Sequence, residues 1–487
     1  MGPLDFVVVI AYLTAVTAFG LRFRKRQRTL KEYFLGNRDI PWWAISLSIV
    51  AAETSTLTII SVPGLSYDKD FGFLQLVIGY LAGRVIVCYL LIPQYFRGEL
   101  FTAYQLIERR FGQRLRSLTA GLFLITRAAA EGVRVFAVAL VVRIALEPWL
   151  HGMSDFASDL TAIGVVTLLT LIYTFEGGLA AVIWTDVVQL AIYVAGTIVG
   201  FFTILHLVPG GWATIHSMAG AAGKFHMFDF SWSFYKTYTF WSGLIGGAFL
   251  TTASHGTDQL IVQRLLTARN ERQSKYALLF SGVAVFFQFA LFLLIGAMLF
   301  VFYRLYPPAV AFARTDQIFP SFIVHYMPLG IRGLLISAIL AAAMSNLSAA
   351  LNSLSSTSVM DFYARIKPQS SEEAKLKLSR VITIAWGIVL FGLAILARHG
   401  GKVVEVGLSI ASVAYGALLG VFLLGVLTRR ANEAGAMVGM LVGFLLNVYL
   451  WQFTRVPFTW YVALGSAATF LIGYKASRFY ERKLPVS

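Results

Sequence analysis

Residues 41–66 read PWWAISLSIVAAETSTLTIISVPGLS. The stretch is apolar and longer than the roughly 20 residues a helix needs to cross a bilayer. Its middle nevertheless holds Glu53-Thr54-Ser55-Thr56, and its end holds Pro63-Gly64. Hydrocarbon offers backbone groups no water, so irregular backbone at membrane depth is tolerated only where it is buried in protein or lines a cavity. A second apolar stretch, 238–263, repeats the pattern with Thr251-Thr252 and Ser254-His255-Gly256-Thr257. Hydroxyl runs also act as packing glue between helices. The two clusters, however, lie five apolar stretches apart, at matching positions in two groups of five. That is the layout of transporters built from inverted repeats with one broken helix in each half.

The rest of the chain fits this frame. With 58% hydrophobic residues, 13% charged residues and a mean hydropathy of +0.73, a soluble fold is excluded. Walking the chain at span length predicts an all-α membrane protein of about thirteen transmembrane helices in a single domain. Residues 4–22 form an extra first helix, 41–206 and 238–427 the two five-helix repeats, and 433–475 two closing helices. The longest external connection, 207–237, is too short for a signalling output domain.

The net charge of +16 does not point to nucleic acid, because the basic residues sit in short clusters between apolar runs instead of on one continuous face. They report topology. Of 40 Lys and Arg, 27 fall on the side expected to be cytoplasmic, 8 on the other side and 5 within spans or at their ends. The first apolar run is followed, not preceded, by Arg22, Arg24, Lys25, Arg26 and Arg28, the reverse of a cleavable signal. The reading is a retained first span, an external N-terminus, a cytoplasmic C-terminus and a bacterial inner membrane. Cys88 is the sole cysteine, so no intrachain disulfide forms.

Charge inside a membrane is costly and faces a cavity or an opposite charge. The candidates are Glu53, Arg84, Arg127, Glu131, Arg134, Asp186 and Asp258, joined by His255. Arg127, Glu131 and Arg134 share one helical face at i, i+4 and i+7. Glu131 neutralises one arginine, leaving the other for a substrate or for Glu53; the alternative is an internal network that only holds helices together. A carboxylate or polyhydroxyl group suits the arginine fork. The stretch around Ser345, Asn346 and Ser348 continues to Asn352-Ser353 and Ser355-Ser356-Thr357, an oxygen-rich stripe suited to a small dehydrated cation. Hydroxyls bonding back to their own helix are the competing reading. Asp186, alone in its span, reads as a cation ligand or relay in preference to an ion-paired structural group. No nucleophile elbow, phosphate loop or metal-binding His/Cys spacing is present, so no enzyme is indicated.

Four dispersed motifs carry a family resemblance: Gly177-Gly178 through Trp184-Thr185-Asp186, Thr257-Asp258-Gln259 through Arg264, Ala342 to Asp361, and Gly425-Val426 through Arg430 to Gly443. In this order they resemble the sodium/solute symporters, which include the sodium/glucose cotransporters and bacterial proline, sialic acid and galactose symporters. The resemblance spans nearly the whole chain and implies a leucine-transporter-like fold with one extra N-terminal helix. It implies a sodium site of Ala51, Thr54, Ala342, Ser345 and Asn346, the last departing from the Ser or Thr of many members. A second sodium would use Asp186, Ser345 and Ser348, with Ala349 where a third hydroxyl stands elsewhere. Ser55, Thr58, Arg134 and His255 are the implied solute contacts. The resemblance aligns Thr251, Ser254 and His255 with the Asn, Tyr and Trp that read sugar in the galactose-transporting branch, so the aromatic face is missing and no sugar is assigned.

The expectation is therefore a sodium-coupled symporter importing a small polar organic solute by alternating access, with Na+, the solute and membrane lipid as partners. The same fold coupled to protons through Glu53, Asp186 or His255 is the first rival. A membrane solute sensor is the second, and a channel is disfavoured because a broken-helix pocket suits occlusion.

Overall fold

The computed structural model describes residues 2–24, 39–54, 56–97, 103–173, 179–308, 310–363, 366–399 and 401–483, and every regular element in them is helical. Helix α1 (Pro3–Arg24) is followed by α2 (Trp42–Glu53) and α3 (Thr56–Asp68), the two halves of the stretch 41–66, bent by 60°. Next come α4 (Leu74–Phe96), α5 (Ala103–Phe111), α6 (Gln113–Ala145), α7 (Asp155–Tyr173), α8 (Leu179–Leu207) and α9 (Gly211–Ala221). Helices α10 (Gly247–Gly256) and α11 (Gln259–Leu266) divide the second polar-centred stretch. The chain then forms α12 (Glu271–Leu305), α13 (Ile318–Tyr326), α14 (Ile331–Thr357), α15 (Glu372–Ala397) and α16 (Val403–Leu427). Helices α17 (Glu433–Phe453) and α18 (Tyr461–Lys483) close it.

Both breaks fall on the hydroxyl clusters. Thr54 leaves helical geometry at φ −80° and ψ 57° while its N–H still bonds the Val50 carbonyl at 2.7 Å. Thr58 Oγ1 reaches back from α3 to the Glu53 carbonyl at 3.3 Å, serving an acceptor that the interrupted ladder leaves open. At the second break, Asp258 caps α11 by accepting from the Leu260 N–H at 2.9 Å. The Tyr95 hydroxyl of α4 donates to the Gly256 carbonyl at the end of α10.

Among the described residues, seven helices are long and apolar enough to cross a membrane unaided, and the α2–α3 pair makes eight. This count is below the expected thirteen, which included stretches that are too charged or too broken to qualify. Helix α6 carries Arg127, Glu131 and Arg134, and α10 and α11 are each too short because their span is broken.

Close backbone packing aligns the broken helices with their neighbours. A Cβ on Gly79 would come within 2.8 Å of the Gly247 Cα, so α4 and α10 touch as small-residue membrane helices do. Gly439 likewise stands against Gly473 and lets α17 lie on α18. Helix α1 docks on α14 through Asp5, fully buried, which accepts from the Gly330 N–H at 2.9 Å and from Arg332 Nε at 2.6 Å. Ile125, Leu168, Phe202, Phe287, Ile388, Leu396 and Leu445 are exposed, an apolar exterior that matches lipid.

Candidate ion and solute site

The break between α2 and α3 faces α12 and α14. Thr54, fully buried, donates its hydroxyl to Gln288 Oε1 of α12 at 2.7 Å. Gln288 Nε2 is buried with no hydrogen-bond partner among the described residues. Thr56 Oγ1 meets the Ile339 carbonyl of α14 at 3.4 Å, holding the start of α3 against that helix. Ala51 and Ala342 are buried. Ser55 lies outside the described residues. Ser345 and Ser348 are buried, and their hydroxyls have no hydrogen-bond partner among the described residues. In contrast, Thr119, Thr170 and Thr197 each bond the carbonyl four residues back. The two serines thus keep hydroxyls that are not bonded to their own helix.

Asn346 lines a narrow cavity together with Thr56, Glu131, Arg134 and Ala343. Glu131 Oε1 lies 2.8 Å from Arg127 Nη2 and accepts from Arg134 Nη1 at 2.9 Å. Arg127 also faces Asp258 at 4.0 Å, and Asp258 accepts from the Tyr415 hydroxyl at 2.7 Å. The internal network that the sequence offers for this face is present. One carboxylate knits the helix charges together, and Arg134, 28% exposed at its side chain, also lines the cavity.

Glu53 does not reach Arg134. It pairs with the fully buried Arg84 of α4, which also donates to Ser281 Oγ and to the Tyr80 carbonyl, each at 3.3 Å. His255 Nε2 approaches Glu53 at 3.4 Å, while its Nδ1 lies 2.9 Å from Ser254 Oγ. His255 and Thr58 therefore brace the breaks, away from the cavity of Arg134 and Asn346.

Asp186 takes the ion-paired arrangement that sequence alone ranked second. Its Oδ2 accepts from Arg264 Nη2 at 2.9 Å and from Ser48 Oγ at 2.6 Å, and Arg264 Nε donates to Ser48 Oγ at 2.9 Å. All three side chains are buried. They join α8, α11 and α2.

The model of the Sodium:solute symporter family matches residues 33–443. The chain belongs to the sodium:solute symporter family. It is 31% identical to the sodium/sialic acid symporter SiaT of Proteus mirabilis, over 97% of this chain and 94% of that protein. It is 29% identical to the sodium/sialic acid symporter NanT of Aliivibrio fischeri, over 99% and 94%. The solved substrate-bound, outward-open state of a sodium-coupled sialic acid symporter superposes with a TM-score of 0.82 at 31% identity, covering 98% of both chains. The symporter is thus a multi-pass membrane transporter of leucine-transporter-like fold, coupled to sodium and carrying a small polar organic solute.

Some residues in contact with the candidate site of the symporter escaped sequence reasoning. Gln288 is one neutral polar residue in a 35-residue apolar helix, and a survey of charges and hydroxyl clusters passes over it. Ser48 and Arg264 are 138 and 78 residues from Asp186, with no shared helix to suggest the contact. At the far end of α3, Lys224 donates to the Tyr67 and Lys69 carbonyls at 2.7 and 2.8 Å, and Lys402 reaches Asp68 at 2.6 Å. These bonds tie the connection after α9 and the start of α16 to the broken helix.

Proposed function

We propose that the chain imports a carboxylate-bearing polar solute across a bacterial inner membrane, driven by sodium and without chemical conversion of the solute. The distribution of basic residues supports an external N-terminus and a cytoplasmic C-terminus. In this reading 41–206 and 238–427 are the two inverted repeats, 4–22 is the extra helix and 433–475 the closing pair.

The observation that carries the solute class is Arg134. Glu131 engages Nη1, and Arg134 lines the cavity shared with Asn346 and Thr56, where its remaining donors suit a carboxylate. The sialic acid symporters matched above carry an acid, which agrees with a cationic solute contact. Ser55, Thr58 and His255 are further proposed solute contacts, contributed by the two breaks and not by that cavity.

Sodium is assigned to the carbonyls of Ala51, Thr54 and Ala342 with the oxygens of Ser345 and Asn346. The free hydroxyl of Ser345 supports this assignment. A second sodium is assigned to Asp186, Ser345 and Ser348, taken up when Arg264 releases the carboxylate. An ion bridging the break and α14 favours the state that accepts solute. Opening toward the cytoplasm parts those elements and frees the ion, so coupling is a reciprocal free energy between the two sites.

Thermal stability of the purified protein against sugars, amino acids and organic acids, each in sodium and in potassium, tests the reading. An organic acid that stabilises only in sodium is the expected result. Stabilisation by neutral sugars alone would overturn the solute class, and equal stabilisation in potassium would overturn the ion assignment.

A further inference from the structure

Phe470, Tyr474 and Arg478 stand at i, i+4 and i+8 on α18 and so form one stripe running toward the C-terminal end of that helix. Across a groove of about 290 Å³, Phe470 and Tyr474 face Leu427, Thr428, Arg429 and Arg430, where α16 ends and the chain turns into α17. The groove is graded along the bundle axis. Leu427 and Phe470 form an apolar foot, and Tyr474 supplies an aromatic ring with a polar tip. Beyond these stand Arg429 and Arg430, while Arg478 donates to the Tyr474 hydroxyl at 2.7 Å and lies 4.7 Å from its ring centroid.

The two arginines of the turn are uncommitted. Neither makes a hydrogen bond or ion pair among the described residues. The nearby acid, Glu433, is engaged elsewhere: its Oε1 accepts from the Arg114 and Leu115 N–H groups at 2.7 and 3.1 Å. The carbonyl of Thr428, which the end of α16 would otherwise offer to a basic side chain, is held by Arg110 at 3.0 Å. Helix-end capping therefore accounts for Arg110 and leaves Arg429 and Arg430 without an anion.

We propose that this groove binds an anionic phospholipid of the cytoplasmic leaflet, with its phosphate on Arg429 and Arg430 and the first methylenes of an acyl chain on Leu427 and Phe470. The leaflet assignment rests on the topology proposed above. Guanidinium forks match phosphate oxygens, and basic pockets between helices on the cytoplasmic side select anionic headgroups. A zwitterionic lipid brings its own cation into the arginine cluster and is disfavoured.

The test compares the delipidated full chain with R429Q/R430Q and with K367Q/K377Q, which removes the same charge from another basic segment. Each is melted with added phosphatidylglycerol, phosphatidylcholine or inorganic phosphate. Phosphatidylglycerol is expected to stabilise the parent and the K367Q/K377Q control. R429Q/R430Q is expected to bind it about thirtyfold more weakly, the effect of two basic side chains at a membrane surface. Equal stabilisation of both double variants would overturn the site in favour of diffuse surface charge. Stabilisation of the parent by inorganic phosphate as strong as by the lipid would overturn the lipid assignment. Native mass spectrometry of the parent needs no variant: preferential retention of phosphatidylglycerol over phosphatidylcholine is expected, and equal retention would refute the proposal.

Discussion

Arg264 Nη2 lies 2.9 Å from Asp186 Oδ2, and the Ser48 hydroxyl bonds both residues, so three helices meet at one buried, charged point. Two of them, α2 and α11, are halves of the two broken spans. The third, α8, carries the carboxylate assigned to the second sodium. Under the proposed second-sodium assignment, an ion arriving at Asp186 would compete directly with Arg264 for one oxygen.

Breaking such a pair from one side strands a charge in low dielectric, which costs about 3–5 kcal/mol, whereas replacing both partners with apolar groups is far milder. Arg264→Met and Asp186→Leu are each expected to lower the unfolding midpoint strongly, and the double substitution to recover much of the loss. Thermal melts of the three variants give the coupling directly. Strictly additive losses would show that the two side chains do not act as a pair.

Gln288 should matter although it carries no charge. Gln288→Leu removes the acceptor of the Thr54 hydroxyl, leaving a buried donor unpaired at about 1–3 kcal/mol. Thr54 also supplies a proposed sodium carbonyl, so the sodium concentration for half-maximal uptake is expected to rise in Q288L and to return toward the parent in Q288E, which keeps an acceptor oxygen. The measurement is solute uptake against sodium concentration. An unchanged half-saturation in Q288L would separate this residue from the ion site.

The helix breaks were legible because polarity in an apolar run signals itself locally: Glu53 and Thr54, and Thr251 to Thr257, lie where the backbone departs from helix or next to it. Pairing across helices was less legible. Helical spacing places Arg127, Glu131 and Arg134 on one face, and they do meet, since all three belong to α6. The same spacing says nothing about which neighbour stands opposite Glu53, and the structure supplies Arg84 from α4. Asp186 shows the same limit, since a lone carboxylate in a span reads as a ligand until a distant arginine is seen to face it.

Arg134 provides a test of the solute class that does not depend on knowing the solute. If a carboxylate rests on the guanidinium fork, Arg134→Lys keeps the charge but loses the paired geometry. The apparent solute affinity is expected to fall by about tenfold in R134K and further in R134Q, consistent with the loss of a charge-assisted hydrogen bond. The sodium half-saturation measured at saturating solute should move little. Uptake kinetics at varied solute concentration give the result, and parent-like affinity in R134K would mean that a point charge suffices.

The connection after α9 makes a prediction in pH. Asp229 accepts from the Ser231 N–H and from Lys236 Nζ, each at 2.9 Å. Hydrogen bonds from Ser231, with a further contribution from Lys236, lower its carboxyl from 3.8 to about 2. A carboxyl depressed in the folded chain stabilises the fold above its unfolded value, and that contribution is lost as pH falls through the folded one. The segment 222–240 should hold its bonds at neutral pH and loosen between about pH 4 and pH 2. It is tied to α4 by the Asp229 N–H, which donates to Gln75 Oε1 at 2.9 Å, and the Phe240 N–H bonds the Asp229 carbonyl at 2.7 Å. Amide exchange at Phe240, corrected for the intrinsic rate, should accelerate over that interval in the parent. In Asp229→Asn, which has no proton to gain there, the corrected rate should stay flat. Identical profiles in the two proteins would remove the carboxylate as the group that holds the segment.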